Sequence, residues 1–186
     1  MYDDKVTILA DVPGLRGAPR SALQQLASTW EFKEVDGGHL CREGEPAETL
    51  FILADGECDV VKSAPNAKRY QVARLTPGCL FGHVGVMTLS RRTASVKARG
   101  RVRVLHMPAR KARQLMRSDD FIVSSPFRRA LIVALSRQLH SATSTTVRLA
   151  VDAGLTEPAA EGQPRPTRIL DEKEISERLY RARGHL

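Results

Sequence analysis

Between about Glu31 and Arg110 the apolar positions come in short runs cut by turn residues, whereas on either side they recur at helical spacing. Ahead of that region, Ile8, Leu9, Val12 and Leu15 gather around a Pro13-Gly14 turn. From Pro19 onward, Leu23, Leu26, Ala27 and Trp30 fall at steps of three and four on one face, which predicts a short helix. The extended pieces are His39–Arg42, Thr49–Leu53, Glu57–Lys62, Tyr70–Leu75, Thr93–Ala98 and Val102–Met107. Asp36-Gly37-Gly38, Glu43-Gly44-Glu45-Pro46, Asp55-Gly56 and Thr76-Pro77-Gly78 punctuate them. Leu50–Leu53 and Cys58–Val61 frame the Asp55-Gly56 turn, which predicts a hairpin. Val102 and Val104 alternate with Arg101 and Arg103, so the valines are expected in a core and the arginines in water.

Evenly spaced short strands with glycine turns predict a mainly β domain with flanking α, an antiparallel double-stranded β-helix or jelly-roll barrel. Pro108–Met116 reads as a short basic helix. A long helix is expected over 126–151, capped by Ser124 or Ser125 with Pro126 in its first position. At ~1.5 Å per residue it would extend roughly 39 Å. Ile132, Leu135, Leu139, Ala142, Thr146 and Leu149 form a heptad seam along it, and Phe127, Leu131 and Ala134 a second apolar group. Two apolar faces call for two partners, the barrel and a second copy, so a homodimer is expected through this helix. The hydroxyl-rich run Ser141–Thr146 suits a helix interior poorly and implies fraying or a polar neighbour. The expected organisation is therefore a domain over 1–125, a long dimerisation helix over 126–151, and a proline-rich, charged tail over 152–186 with a short helix near its end.

Composition alters this picture mainly through charge. The formal net charge of +8 is concentrated: residues 87–118 hold ten basic side chains and no acid, which reads as an anion-facing surface. An acidic protein, nucleic acid or an anionic membrane would fit it. Cys41, Cys58 and Cys79 are odd in number and lack a Cys-x-x-Cys pair, which argues against a disulfide framework or a zinc site. No run approaches the ~18 apolar residues of a membrane helix, and the acidic N-terminus is unlike a secretory signal, so a cytoplasmic protein is expected. No nucleophile, paired-acid or metal-ligand pattern stands out; Glu43 and Glu45 sit in a turn. No catalytic residues are expected, and neither a metal nor a cofactor.

The chemistry concentrates in Thr76–Val96. Glycines beside a short apolar turn, then Arg91-Arg92-Thr93, suit a phosphate: glycine admits converging backbone N–H groups and arginine offers a planar fork.

Four ordered segments, Gly38-His-Leu-Cys-Arg-Glu-Gly44, Leu50-Phe-Ile-Leu-Ala-Asp-Gly56, Pro77-Gly78-x-x-Phe81-Gly82 and Arg92-Thr-Ala-Ser-Val96, make residues 8–150 resemble the cyclic nucleotide-binding domain family. The resemblance implies a jelly roll whose phosphate-binding cassette is the stretch just described, with cAMP, cGMP or a related anion as ligand. It implies that Arg92 pairs with the phosphate, that Thr93 assists, and that Gly82, His83, Val84 and Gly85 form the loop and short helix around it. Thr143 falls near where bacterial members offer hydroxyls to the base. His83 stands where the family has a glutamate that accepts from the ribose, a loss on the order of 1.5–3 kcal/mol. A neutral imidazole can still accept there, which would tie binding to pH. Thirty-five residues follow Val151, fewer than the ~40 an unstapled domain needs, so no sequence-specific DNA-binding head is expected.

Overall fold

The computed structural model describes residues 2–64 and 68–152. Two helices, α1 (Tyr2–Asp11) and α2 (Arg20–Ala27), precede eight strands: β1 (Glu31–Asp36), β2 (His39–Cys41), β3 (Thr49–Asp55), β4 (Cys58–Ser63), β5 (Arg69–Leu75), β6 (Leu80–Phe81), β7 (Ser95–Ala98) and β8 (Arg101–Pro108). A short helix, α3 (His83–Thr88), lies between β6 and β7, and α4 (Ala109–Arg117) and α5 (Phe121–Asp152) follow β8. One compact unit ends at Ser144, and Thr145 opens a second. The expected tail and its terminal helix lie outside the described residues.

The strands form two antiparallel four-stranded sheets, ordered β1-β8-β3-β6 and β2-β7-β4-β5. This is the expected jelly roll, and period-two alternation builds it. On β3, Phe51 and Leu53 face the space between the sheets with Cys41, Cys58, Phe81, Val96, Ala98, Val102 and Val104. Leu50 and Ile52 point the other way, with Leu105 and Met107, into a cluster completed by Leu9 and Phe127 from the helices and Trp30 from the link after α2. Both faces of β3 are thus buried, which explains why Leu50–Leu53 is a continuous apolar run. Truncating a side chain such as Phe127 there costs on the order of 3–5 kcal/mol. Cys41 and Cys58 serve as small buried apolar groups, while Cys79 is only half-buried.

The hairpin expected at Asp55-Gly56 is overturned. Strand β3 pairs with β6 and β8, whereas β4 pairs with β5 and β7, so the turn carries the chain from one sheet to the other. Gly56 makes the crossing possible: its φ is +84°, and a Cβ there would meet the Arg101 carbonyl oxygen and Val102 Cγ1 at 2.8 Å. The local hairpin is instead β4–β5, closed by the Ala64 N–H donating to the Lys68 carbonyl at 2.8 Å.

Helix α1 is a second difference, since the sequence pattern gave only a turn near Pro13-Gly14. Val6 and Leu9 bury one side of it, and the Arg129 guanidinium of α5 ties the following turn down through the Gly14 and Arg16 carbonyls at 2.6 and 2.7 Å. Helix α5 begins at Phe121 rather than at Pro126. Asp120 caps it: Oδ1 accepts from the Ile122 N–H at 3.1 Å, and its carbonyl accepts from Ser124 at 2.8 Å. Ser124, expected as a cap, lies inside the helix with its hydroxyl buried, and Pro126 is internal. Of the two apolar groups, Phe127 and Leu131 are buried in the helical cluster and Ala134 packs on it, while Ile132, Leu135 and Leu139 are exposed. The helix continues through the hydroxyl run, where Ser141, Thr143 and Ser144 are exposed. Among the described residues no helix is long and apolar enough to cross a membrane.

Candidate functional site

Strand β6 and helix α3 are joined by Gly82, which adopts φ +77° and caps α3 in the left-handed conformation. Only glycine takes that conformation without strain, and space demands it as well: a Cβ on Gly82 would lie 2.4 Å from Arg92 Nη1. The arginine is buried, 7% exposed, beneath this cap. Its Nη1 donates to the Gly82 carbonyl at 3.1 Å and its Nη2 to the Thr49 carbonyl at 2.6 Å. Its Cζ sits 5.6 Å from the centre of the Phe51 ring, which stacks on Phe81 at 5.1 Å. Arg92 thereby joins β3, the α3 cap and its own segment. Desolvation lowers its pKa, and a guanidinium keeps its charge in proteins, so Arg92 is a buried cation. Among the described residues its Nε finds no hydrogen-bond partner.

A second backbone clamp fixes the segment from outside. The Gly44 N–H donates to the Arg92 carbonyl at 2.9 Å, and the Arg92 N–H donates to the Glu45 carbonyl at 2.8 Å. Arg91 adds its Nη1 to the Gly44 carbonyl at 2.8 Å. The Arg42–Pro46 turn that makes this clamp is stiffened by its own acid, with Glu45 Oε2 accepting from the Arg42 N–H at 2.8 Å. Glu43 reaches the Ser63 N–H at 2.8 Å, a bond that holds its carboxyl below the usual range. These two carboxylates are structural pieces of the site's rim.

His83, the first residue of α3, is buried at 4% exposed, and among the described residues neither ring nitrogen has a hydrogen-bond partner. Burial pushes its pKa down to about 4. The imidazole is therefore neutral through the physiological range, with one N–H donor and one bare nitrogen acceptor. This refines the expected pH dependence, moving it below the ordinary range of histidine. Two unpaired polar atoms on one buried ring are costly, on the order of 1–3 kcal/mol each, and call for a partner.

The remaining residues singled out from sequence divide. Gly85 is buried, and its missing side chain serves packing: a Cβ would meet Ala47 Cβ at 2.6 Å and the Arg91 carbonyl oxygen at 3.0 Å. Val84 is half-buried, and its carbonyl accepts from Thr88 Oγ1 at 2.9 Å. Thr93 is exposed beside Arg92, its carbonyl held by Lys62 Nζ at 2.9 Å. Gly82, His83, Val84, Gly85, Arg92 and Thr93 are thus brought together. Thr143 stands exposed on α5, and among the described residues no hydrogen bond links it to them. Sequence reasoning missed the carbonyls of Thr49 and Gly82, because backbone partners carry no signature in residue type. It also missed Leu89, which ends α3 in the left-handed conformation at φ +56° while 72% exposed.

Comparison with known proteins bears out the fold. Residues 35–119 match the family profile of the cyclic nucleotide-binding domain. The chain is 25% identical over 104 residues to the cAMP-dependent protein kinase regulatory subunit of Blastocladiella emersonii, covering 55% of this chain and 25% of that protein. It is 27% identical over 101 residues to the CRP-like cAMP-activated global transcriptional regulator of Mycobacterium tuberculosis, covering 54% and 45%. It therefore spans less than half the length of either relative. The fold superposes on a cyclic nucleotide-binding domain from Methylobacillus flagellatus with a TM-score of 0.70 at 17% identity, covering 79% of this chain and 83% of that one.

Proposed function

We propose that this chain, whose residues 35–119 belong to the cyclic nucleotide-binding domain family, senses cAMP, cGMP or a related anion and passes the signal through α5. The observation that carries the reading is the pair of buried groups at the α3 cap with unsatisfied polar atoms, His83 at both ring nitrogens and Arg92 at Nε. A cyclic phosphate and a ribose hydroxyl supply what these atoms lack. In this reading Arg92 pairs with the phosphate, Thr93 assists, and the backbone of Gly82, Val84 and Gly85 lines the anion. The neutral His83 accepts from the ribose 2′-hydroxyl, and Thr143 offers its hydroxyl to the base. The exposed Ile132, Leu135 and Leu139 support a homodimer along α5. The family is regulatory, and we assign this chain no catalytic step; a cytoplasmic location fits it.

Calorimetric titration of cAMP and cGMP into the full chain, repeated with His83→Glu, tests this. Saturable binding is expected, tightened about 10- to 150-fold by the glutamate. An intact His83→Glu protein that binds no more tightly than the parent would contradict the role given to His83. A second reading is favoured by the commitment of Arg92 to two backbone carbonyls. There Arg92 is purely a structural cation, and the domain is a ligand-free interaction module that uses cations of the basic block 87–118. Retention of nucleotide binding by the parent chain excludes it.

A further inference from the structure

The ten cations of residues 87–118 do not form one surface. Those on β8 and the turn before it have acids beside or opposite them: Arg99 lies 3.7 Å from Glu57 and 3.4 Å from Asp59, Arg101 pairs in register with Asp36, and Arg103 with Glu34. The cations of α4 differ. Among the described residues no carboxylate lies within ion-pair distance of Arg110, Lys111, Arg113 or Arg117. Arg110, Arg113 and Arg117, at steps of three and four, share one helical face and line an open groove of about 460 Å³ with Gln114, Ser118 and Asp119.

We infer that this groove is a second anion site, separate from the α3 cap, for a small molecule carrying two or three linked phosphates. Arg110 to Arg117 spans roughly 10 Å along the helix at ~1.5 Å per residue, a span that long arginine stems can close onto a few linked phosphates but not onto a single one. Nucleic acid is disfavoured because stable association engages a longer track of phosphates; Asp119 bounds the groove for any anion and leaves the three arginines as its attractive groups. Arg117 is not needed to cap α4, because Arg128 does so: its Nε donates to the Met116 carbonyl at 2.7 Å and its Nη2 to the Ser118 carbonyl at 3.0 Å. Arg117 and Arg110 are exposed and free to turn toward an anion. Arg113 is half-buried, and its Nη1 donates to the Val86 carbonyl in α3 at 3.2 Å. An anion that draws on the Arg113 guanidinium therefore acts on α3 through one hydrogen bond.

The test is titration of pyrophosphate and tripolyphosphate into the full chain at a constant ionic strength of about 0.15 M, with amide shifts followed by NMR and no nucleotide present. Saturable binding is expected, with shifts along α4 and at Val86. The double variant Arg110→Gln/Arg117→Gln, altered only at exposed positions, weakens it roughly tenfold or more. Three results overturn the proposal: no saturation, equal binding by the double variant, or tighter binding of short duplex DNA or anionic vesicles. Equal binding by the double variant would assign the anion to the α3 cap instead. Because nucleotide is absent, failure here leaves the reading of the cap untouched.

Discussion

Replacing His83 by leucine removes a buried titrating group without introducing a new polar atom, and it isolates one term in the pH dependence of folding. In the unfolded chain histidine titrates near its ordinary value of 6.5, whereas burial holds folded His83 to about 4. Between those values the unfolded state binds more protons than the folded one, so stability rises with pH. The penalty is absent above the ordinary histidine range, grows as pH falls through 6.5, and is complete below the folded value. Proton linkage with these two values gives almost nothing near pH 7.5 and about 2 kcal/mol near pH 5. Other groups titrate in the same window. The pKa values of His39 and Glu43 are also lowered, but both residues are present in the parent and the variant and cancel in the difference. Urea denaturation of both proteins at the two pH values measures this directly. The parent should lose about 2 kcal/mol more than His83→Leu on acidification, or about 1 M in urea midpoint for a slope near 2 kcal/mol/M. Equal losses would mean that folded His83 reaches solvent or a partner, and the case for an unsatisfied ring at the α3 cap would collapse.

Gly56→Ala should cost roughly 2 kcal/mol or more, because its Cβ would stand 2.8 Å from the Arg101 carbonyl oxygen at a φ of +84°; thermal denaturation measures it, and a neutral result would dispute the sheet crossing. Leu89→Asn should act in the opposite direction, stabilising by about 1 kcal/mol, since Leu89 is exposed and pays for a left-handed conformation that asparagine tolerates. Leu135→Glu/Leu139→Glu places like charges on the exposed seam of α5 and should shift a dimer to monomer in sedimentation velocity; an unchanged mass would remove α5 as the interface.

Much of the fold was legible because alternation and turn residues are local signals. The valines of β8 and the apolar run of β3 fell where their periodicity directed. Glycine at Asp55-Gly56 announced a turn, but a turn does not state which sheet its second strand will join, and burial on both faces of β3 decided that. Strand β6 has two residues, too few for any period, and β1 carries four charged residues in six. Pro126 resembled a helix start until Asp120, a better cap, extended α5 toward the N-terminus. At the site, the residue types of Gly82 and Arg92 were informative about which groups meet at the α3 cap. The state of His83 was not, because a neutral imidazole follows from burial, which only the tertiary structure supplies.

The central claim is that the α3 cap over Arg92 holds a cyclic phosphate, and calorimetry of cAMP and cGMP against the parent chain and Arg92→Gln tests it most directly. Circular dichroism would first establish that the variant is folded. The account predicts saturable binding by the parent and a loss of about 10- to 150-fold in the variant, the worth of a hydrogen-bonded charge to a phosphate. No heat from the folded parent at millimolar nucleotide, or equal affinity in both proteins, would contradict it.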